Sequence, residues 1–206
     1  TRNEFARRQI SVNNANLTSE VWRPLSTARA SADNLVDLLT GTAGAQTVHM
    51  ARASMVAGYS VLLMAEMFCV GTISQPGNVP GGPLNTAQML DSAVVRFTRA
   101  IEVGRAVDSD ASNAIANAAL VGRARAHLQA GRSAEALADA QDVPQGFVFT
   151  MPYIDDVGNR TRLSNMMWWF TVDRGSIGVG PGFRVDDPRV PFAAPDEHPY
   201  NAFETP

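Results

Sequence analysis

The segment from Asn117 to Pro144 constrains the fold of this chain more than any other. It reads NAALVGRARAHLQAGRSAEALADAQDVP, which is an Ala-rich helical stretch, a turn at Gly131-Arg132-Ser133 and a second Ala-rich stretch that stops at a proline. Small residues recur where the two helices would meet, so the backbones can approach closely. The pattern is typical of a helical-hairpin repeat. Such scaffolds usually present a surface, so the segment favours binding over catalysis.

Charge and cysteine content narrow the possible functions. The 206 residues carry a formal net charge of -3, which offers no basic surface for nucleic acid. Cys69 is the one cysteine, so an intrachain disulfide is impossible. Because Cys69 lies in the apolar run MAEMFCVG, we predict a buried thiol that packs as a small hydrophobic group.

Apolar residues at three- and four-residue spacing predict helices through the first 144 residues. A short helix is predicted over Asn3–Asn14 and a longer one over Glu20–Thr40. The next, over Gln46–Val70, is apolar on nearly all sides, so we expect it to be central and buried. A Gly/Pro-rich loop from Gly71 to Pro83 follows, and its length is typical of a functional or covering loop.

Three further helices are predicted, with Thr86, Ser112 and Ser133 at their N-termini. In the first of them, Ala93, Phe97 and Ala100 reproduce the Ala-x3-Phe-x2-Ala spacing of tetratricopeptide repeats. The turn and helix start from Gly131 to Ala136 fit a second such repeat. Because Ala-rich helices produce this spacing by chance, an ordinary helical bundle remains the alternative.

The final third has a different composition. Gly146–Tyr153 and Trp168–Val172 have strand-like alternation or aromatic content, and glycines and prolines dominate from Gly175 onward. The predicted fold is therefore mainly α, with tetratricopeptide-like helical hairpins over 1–144. Residues 145–206 are predicted to form an irregular, partly β covering segment of the same domain.

Aromatic residues of this last segment are the candidate ligand contacts. Trp168, Trp169 and Tyr153 offer ring faces of the kind that stack on the C–H faces of sugars. Adjacent residues of an extended segment point to opposite sides. One of the two tryptophans could therefore anchor the covering segment to the helices instead.

Other chemistry has little support in the chain. The histidines at 49, 127 and 198 lack metal-ligand spacing, and the pairs Asp155-Asp156 and Asp186-Asp187 are interpreted as solvated turns. Arg123 and Arg125 are predicted to form structural salt bridges. No phosphate-binding loop or nucleophile elbow occurs. We therefore predict a protein that is not an enzyme, with no catalytic residue, metal or cofactor.

The order of several segments resembles the SusD/RagB family of outer-membrane nutrient-uptake lipoproteins, and most closely its divergent members in Gemmatimonadota-type bacteria. The segments that carry this resemblance are ARASADNLVDLL, AEMFCVG, TAQMLDSAVVRFTRAIEVG, AALVGRARAHLQAGRSAEALADAQDVP and DPRVPF. They span roughly Glu4 to Phe192.

The resemblance implies a bacterial cell-surface protein that binds a glycan, a peptide or another nutrient. Members of the family cap a TonB-dependent (SusC-like) β-barrel transporter and deliver substrate to it without catalysis. They are anchored through an acylated N-terminal cysteine, a role that Cys69 cannot fill. Because family chains are usually longer, we expect this chain to be the middle of such a protein.

A structural or assembly role is the alternative. In that case the helical repeats would pack against copies of the same chain or against another subunit, and no small molecule would be bound.

Overall fold

The computed structural model describes residues 9–11, 13–74, 79–154, 158 and 165. The chain divides into two compact units, Thr1–Phe149 and Thr150–Pro206, and the regular elements described below belong to the first. They confirm a mainly α fold. The predicted strand in Trp168–Val172 lies outside the described residues.

A long N-terminal helix agrees with the prediction over Glu20–Thr40. A π-helical segment, Leu17–Trp22, continues directly into α1, Arg23–Leu39. Pro24 is placed in the first turn of α1, directly after the π-helical segment. The shorter helix predicted over Asn3–Asn14 is wrong for the described residues 9–11, 13 and 14, which are not helical. The rest of that prediction lies outside the described chain.

The second helix, α2, is Val48–Met67 and forms the centre of the molecule. Twelve of its residues are buried, which confirms the expectation from its apolar composition. Its length and apolar composition would allow it to cross a membrane, but 67% of its most apolar 18-residue stretch is buried among the other elements. Helices in the cores of soluble proteins can have the same length and apolar composition. Helix α2 begins two residues later than predicted, since the Thr47 side chain accepts a hydrogen bond from the Met50 amide and so acts as N-cap.

The segment after α2 corrects two predictions. Instead of a continuous loop over Gly71–Pro83, strand β1, Val70–Thr72, pairs antiparallel with β2, Pro83–Asn85. This pairing satisfies backbone groups of both strands. Cys69 is exposed, contrary to the predicted burial. The chain leaves the helix at Phe68, so Cys69 no longer follows the buried face of α2.

Three further helices follow: α3, Thr86–Val107, α4, Asp110–Gln129, and α5, Ser133–Gln141. Their existence is confirmed, but each cap lies one to three residues before the predicted one. Asn85 caps α3 and Ser109 caps α4, each in a reciprocal capping box with the third residue of its helix. Arg132 precedes α5 without a side-chain cap.

Short connections join α3 to α4 and α4 to α5. Asp108 and Ser109 form the first, and Asp108 adopts the left-handed conformation with φ 50°. In the second, Gly131 has φ 75°, and the Gly131 and Arg132 amides donate to carbonyls of the preceding turn in a Schellman motif. Both connections create helical hairpins.

The core lies where α2, α3 and α4 meet, around the fully buried ring of Phe97. The Tyr59 ring packs edge-on against it at 4.9 Å between centroids, and the Tyr59 hydroxyl donates to the Ala118 carbonyl at 2.7 Å. Gly58 of α2 and Gly122 of α4 face the Phe97 ring so closely that neither position has room for a Cβ. Glycine thus allows three helices to converge on one aromatic ring.

After α5, residues 146–153 form no strand. The strand-like alternation of Gly146–Tyr153 therefore gave a wrong prediction. Phe147 and Phe149 instead pack as partly buried side chains against the helical core. This stretch therefore packs on the helices through alternate aromatic side chains without pairing in a sheet.

Candidate functional site

Tyr153 is the one predicted ligand contact within the described residues. Its side chain is 58% exposed, so its ring is accessible to a ligand. Met151 and Ile154 beside it are exposed as well, which makes this stretch an accessible apolar and aromatic segment. Trp168 and Trp169 lie outside the described residues.

Arginine–carboxylate pairs join the helices. Arg123 of α4 donates two hydrogen bonds to Asp139 of α5, at 2.8 and 2.6 Å. Arg125 makes the same two-point contact with Glu66 of α2, at 2.7 and 2.6 Å. These contacts confirm the predicted structural salt bridges. Two-point geometry also fixes the relative positions of the helices, because both guanidinium and carboxylate are planar.

A third ion-pair group, in which one aspartate contacts two arginines, borders a cavity that the sequence did not reveal. Asp33 of α1 accepts hydrogen bonds from Arg96 of α3 at 3.0 and 2.8 Å, and from Arg29 at 3.0 Å. The spacing of Arg29 and Asp33 predicts a pair on one helix. Arg96 is 63 residues further along the chain than Asp33, and no local pattern indicates that they meet. The cavity beside them has a volume of about 170 Å³.

An open apolar groove lies on the other side of α1, against α2. Its volume is about 400 Å³, and Ala32, Leu35, Ala53 and Val56 contribute to its lining. His49 and Arg52 lie at its polar edge. The groove offers a surface for binding, and its lining contains no arrangement of side chains suited to catalysis.

His127 occupies a charged environment between α4 and α5. Its side chain is 13% exposed, with Nε2 4.0 Å from Asp139. Burial lowers the pKa of His127, and Arg132 and then Arg123 lower it further, against the opposing effects of Asp139 and Glu135. His127 is thus a partly buried packing residue of α4.

The lowered pKa of His127 predicts a loss of stability in weak acid. The unfolded chain takes up a proton on this imidazole as the pH falls below about 6.5, while the folded chain resists until the lower folded pKa is reached. The free energy of unfolding therefore decreases through that window and levels off below it. Urea denaturation at several pH values between neutrality and weak acid measures this slope.

Replacing His127 by glutamine is expected to reduce the slope. Equal slopes in the native protein and His127→Gln would contradict the assignment.

Among the described residues, no group of three or more His, Cys, Asp or Glu side chains is placed so that it could hold a metal ion. Comparisons with family models, with curated proteins and with solved structures gave no match for this chain.

Proposed function

We propose that this chain is a non-catalytic binding protein of the SusD/RagB type. In this proposal it binds a glycan or another nutrient at the bacterial cell surface and delivers it to a TonB-dependent β-barrel transporter in the outer membrane. A lipid anchor outside this sequence would hold it there. The observation that carries the proposal is the exposed Tyr153 ring in a non-helical segment that follows a scaffold of helical hairpins.

Binding in this proposal is non-covalent. The apolar C–H face of a sugar stacks on an aromatic ring and excludes water from it, while the ring's polar edge stays hydrated. Tyr153, Trp168 and Trp169 would supply the rings. A few hydrogen bonds to sugar hydroxyls would set the orientation. Release would follow closure of the transporter over the ligand.

The tetratricopeptide-like organisation is part of the same proposal. Ala93, Phe97 and Ala100 are all fully buried, as the small–large–small spacing of such a repeat requires where two helices cross. The hairpins α3–α4 and α4–α5, and the contact of α2 with both α3 and α4, also support it. Repeats of this kind leave extended outer surfaces for ligands and partners.

Alanine substitutions test the aromatic site. Against a panel of immobilised glycans, Trp168→Ala, Trp169→Ala and Tyr153→Ala are each expected to weaken binding about 5- to 30-fold, since one stacking contact is worth about 1–2 kcal/mol. Leu38→Ala is the matched control, because Leu38 is an exposed apolar side chain on α1. Unchanged binding in all three aromatic variants would exclude this site.

Partner capture tests the transporter half of the proposal. The protein is purified through an affinity tag from detergent-solubilised outer membranes, and co-purifying proteins are identified by mass spectrometry. A TonB-dependent barrel at near-equal abundance is expected. Recovery of the chain alone would contradict delivery to a transporter.

An assembly role is the second candidate, and the exposed leucines of the last hairpin favour it. Leu128 of α4 and Leu137 of α5 are 63% and 59% exposed, as at the end of a repeat stack whose next unit is supplied by another chain. Light scattering across a concentration series tests this idea. A particle mass that grows with concentration, and returns to the monomer value in Leu128→Glu, would support it over the nutrient-binding proposal.

A further inference from the structure

The groove between α1 and α2 combines an apolar lining with a positively charged edge. Each helix contributes residues at positions i, i+3, i+4 and i+7, from Ala28 to Leu35 on α1 and from His49 to Val56 on α2. Residues at these positions lie on one face of a helix. All of them belong to the first compact unit, so the groove shares no residue with the aromatic segment that carries the proposed nutrient binding.

Small side chains form the floor of the groove. Ala32 of α1 and Ala53 of α2 are both buried, whereas Leu35 at the side of the groove is 40% exposed. The volume of about 400 Å³ between the two helices is open to solvent. Packed helices have axes about 8–10 Å apart, and a helix with its side chains is about 10–12 Å wide. The groove is therefore better suited to an extended chain than to a third helix.

The charge of the groove has one sign. Arg52 is exposed and forms no ion pair among the described residues. His49 is exposed at the same edge, and no aspartate or glutamate of the described chain lines the groove. The chain as a whole carries a net charge of -3, so this edge is positive within an acidic protein. It complements a carboxylate, which a guanidinium group can bind through two parallel hydrogen bonds.

The length of the groove limits the ligand. Seven residues of helix span roughly 10 Å, and an extended chain advances about 1.2 Å for each backbone bond. An unbranched chain of about eight carbon atoms therefore reaches from one end of the groove to the other. A sugar fits this lining poorly, because its hydroxyl groups would lose water against alanine, leucine and valine side chains and gain few hydrogen bonds in return.

We propose that this groove binds a free, unbranched aliphatic carboxylate of about eight carbon atoms, a medium-chain fatty acid. The alkyl chain lies along Ala32 and Ala53, between Leu35 and Val56 at the sides. The carboxylate pairs with Arg52 at the edge. Removal of the alkyl chain from water supplies most of the affinity, and Arg52 selects for negative charge.

Methyl groups of the intact, folded protein report on the groove directly. In ¹H–¹³C spectra at neutral pH and constant ionic strength, the methyl resonances of Leu35 and Val56 are expected to shift and saturate as sodium octanoate is titrated in. A dissociation constant of about 1 mM is expected. The methyl resonances of Leu128 and Leu137, which are exposed on the last hairpin, should not move.

Three further probes separate the alkyl chain from the charge. Sodium hexanoate is expected to bind about fourfold more weakly than octanoate, a factor of about two for each methylene that an open groove covers on one side. Sodium acetate has the carboxylate without the chain and should give no saturable shift. Octyltrimethylammonium has the same chain with the opposite charge and is expected to bind about fivefold more weakly or worse.

Two variants with matched controls test the residues. Arg52→Gln is expected to weaken octanoate binding about fivefold through loss of one screened, charge-assisted contact, whereas Arg99→Gln, at an exposed arginine of α3, should leave it unchanged. Leu35→Asp places a carboxylate in the groove and should abolish the saturable shift of the Val56 methyl groups. Leu38→Asp is its control, because Leu38 is 74% exposed on the same helix and lies outside the groove. Since Leu35→Asp could disturb packing, Arg52→Gln provides the test at an exposed position.

The proposal is overturned if octanoate gives no saturable shift, or if octyltrimethylammonium binds as tightly as octanoate, because the groove would then not select for a carboxylate. Equal octanoate binding in Arg52→Gln and Arg99→Gln would also overturn it. So would a shift that Leu128 and Leu137 share with Leu35, because that pattern reports general adsorption to apolar surface and not a site. None of these outcomes bears on glycan binding, which depends on residues of the aromatic segment.

Discussion

Replacing Gly122 by valine is expected to destabilise the fold by about 3 kcal/mol, the upper end of the cost of overpacking a core. A Cβ at this position would lie 2.5 Å from two carbons of the Phe97 ring and 3.0 Å from Tyr59, whereas carbon atoms pack best at about 3.5–4.0 Å. The Phe97 ring is fully buried and also lies against the backbone of Gly58, where an added Cβ would be only 2.8 Å from it, so the ring has little room to move. The midpoint of urea denaturation measures the loss.

Two further variants separate crowding from other effects of valine. Gln129→Val places the same side chain at an exposed position of α4 and is expected to cost only about 0.5 kcal/mol through helix propensity. In Gly122→Val/Phe97→Leu the smaller residue relieves the clash, so the double variant should be less destabilised than the sum of its single changes. Strict additivity would show that the Phe97 contact is not the cause.

Removal of the Asp139 carboxylate is expected to detach α5. Asp139 and Ala136 are its buried residues, so little apolar contact secures this nine-residue helix. In Asp139→Ala the two-point contact with Arg123 is lost, and a guanidinium that is 22% exposed keeps only its hydrogen bond to Thr98 at 2.9 Å. Breaking a largely buried pair costs about 3 kcal/mol.

Hydrogen exchange locates that loss. The amides of α5 should exchange much faster in Asp139→Ala, while those of α2 should keep their protection, since local units open independently of the core. Asp142→Ala is the control, because its ion pair with Arg105 is 3.4 Å long and more than half exposed on both sides, and such pairs contribute about 0–1 kcal/mol. Equal hydrogen exchange of the α5 amides in Asp139→Ala and Asp142→Ala would contradict the conclusion that the Arg123–Asp139 pair holds this helix in place.

Local pattern predicted the helices well. The period of the apolar residues located α1 to α5, and the uniform apolarity of α2 predicted its burial. The Ala-x3-Phe-x2-Ala spacing selected Phe97, which is central to the core. The 3.6-residue period places side chains of neighbouring turns on one face, so the apolar faces of the helices could be identified before their partners were known.

Local pattern failed where the chain leaves a regular element. Cys69 continues an apolar run but is exposed, because α2 ends two residues earlier, at Met67. The pairing of Val70–Thr72 with Pro83–Asn85 closes over an intervening loop, and its strands are too short for periodicity to identify. Gly146–Tyr153 alternates like a strand, yet its described structure has no partner ladder to make it one.

The candidate sites divide in the same way. Tyr153 could be selected from sequence, since an aromatic residue in a turn-rich segment already suggests an accessible ring. The cavity at Arg29 could not, because its wall joins residues from α1, α3 and the segment after β1, and the most distant of them, Arg29 and Arg99, are 70 residues apart. Sequence alone determined the helices and their apolar faces, since these follow from the spacing of neighbours along one helix. Only the tertiary structure decided that Arg29 shares the Asp33 carboxylate with Arg96 and that Arg29 Nε has no partner among the described residues. That outcome depends on where distant helices cross.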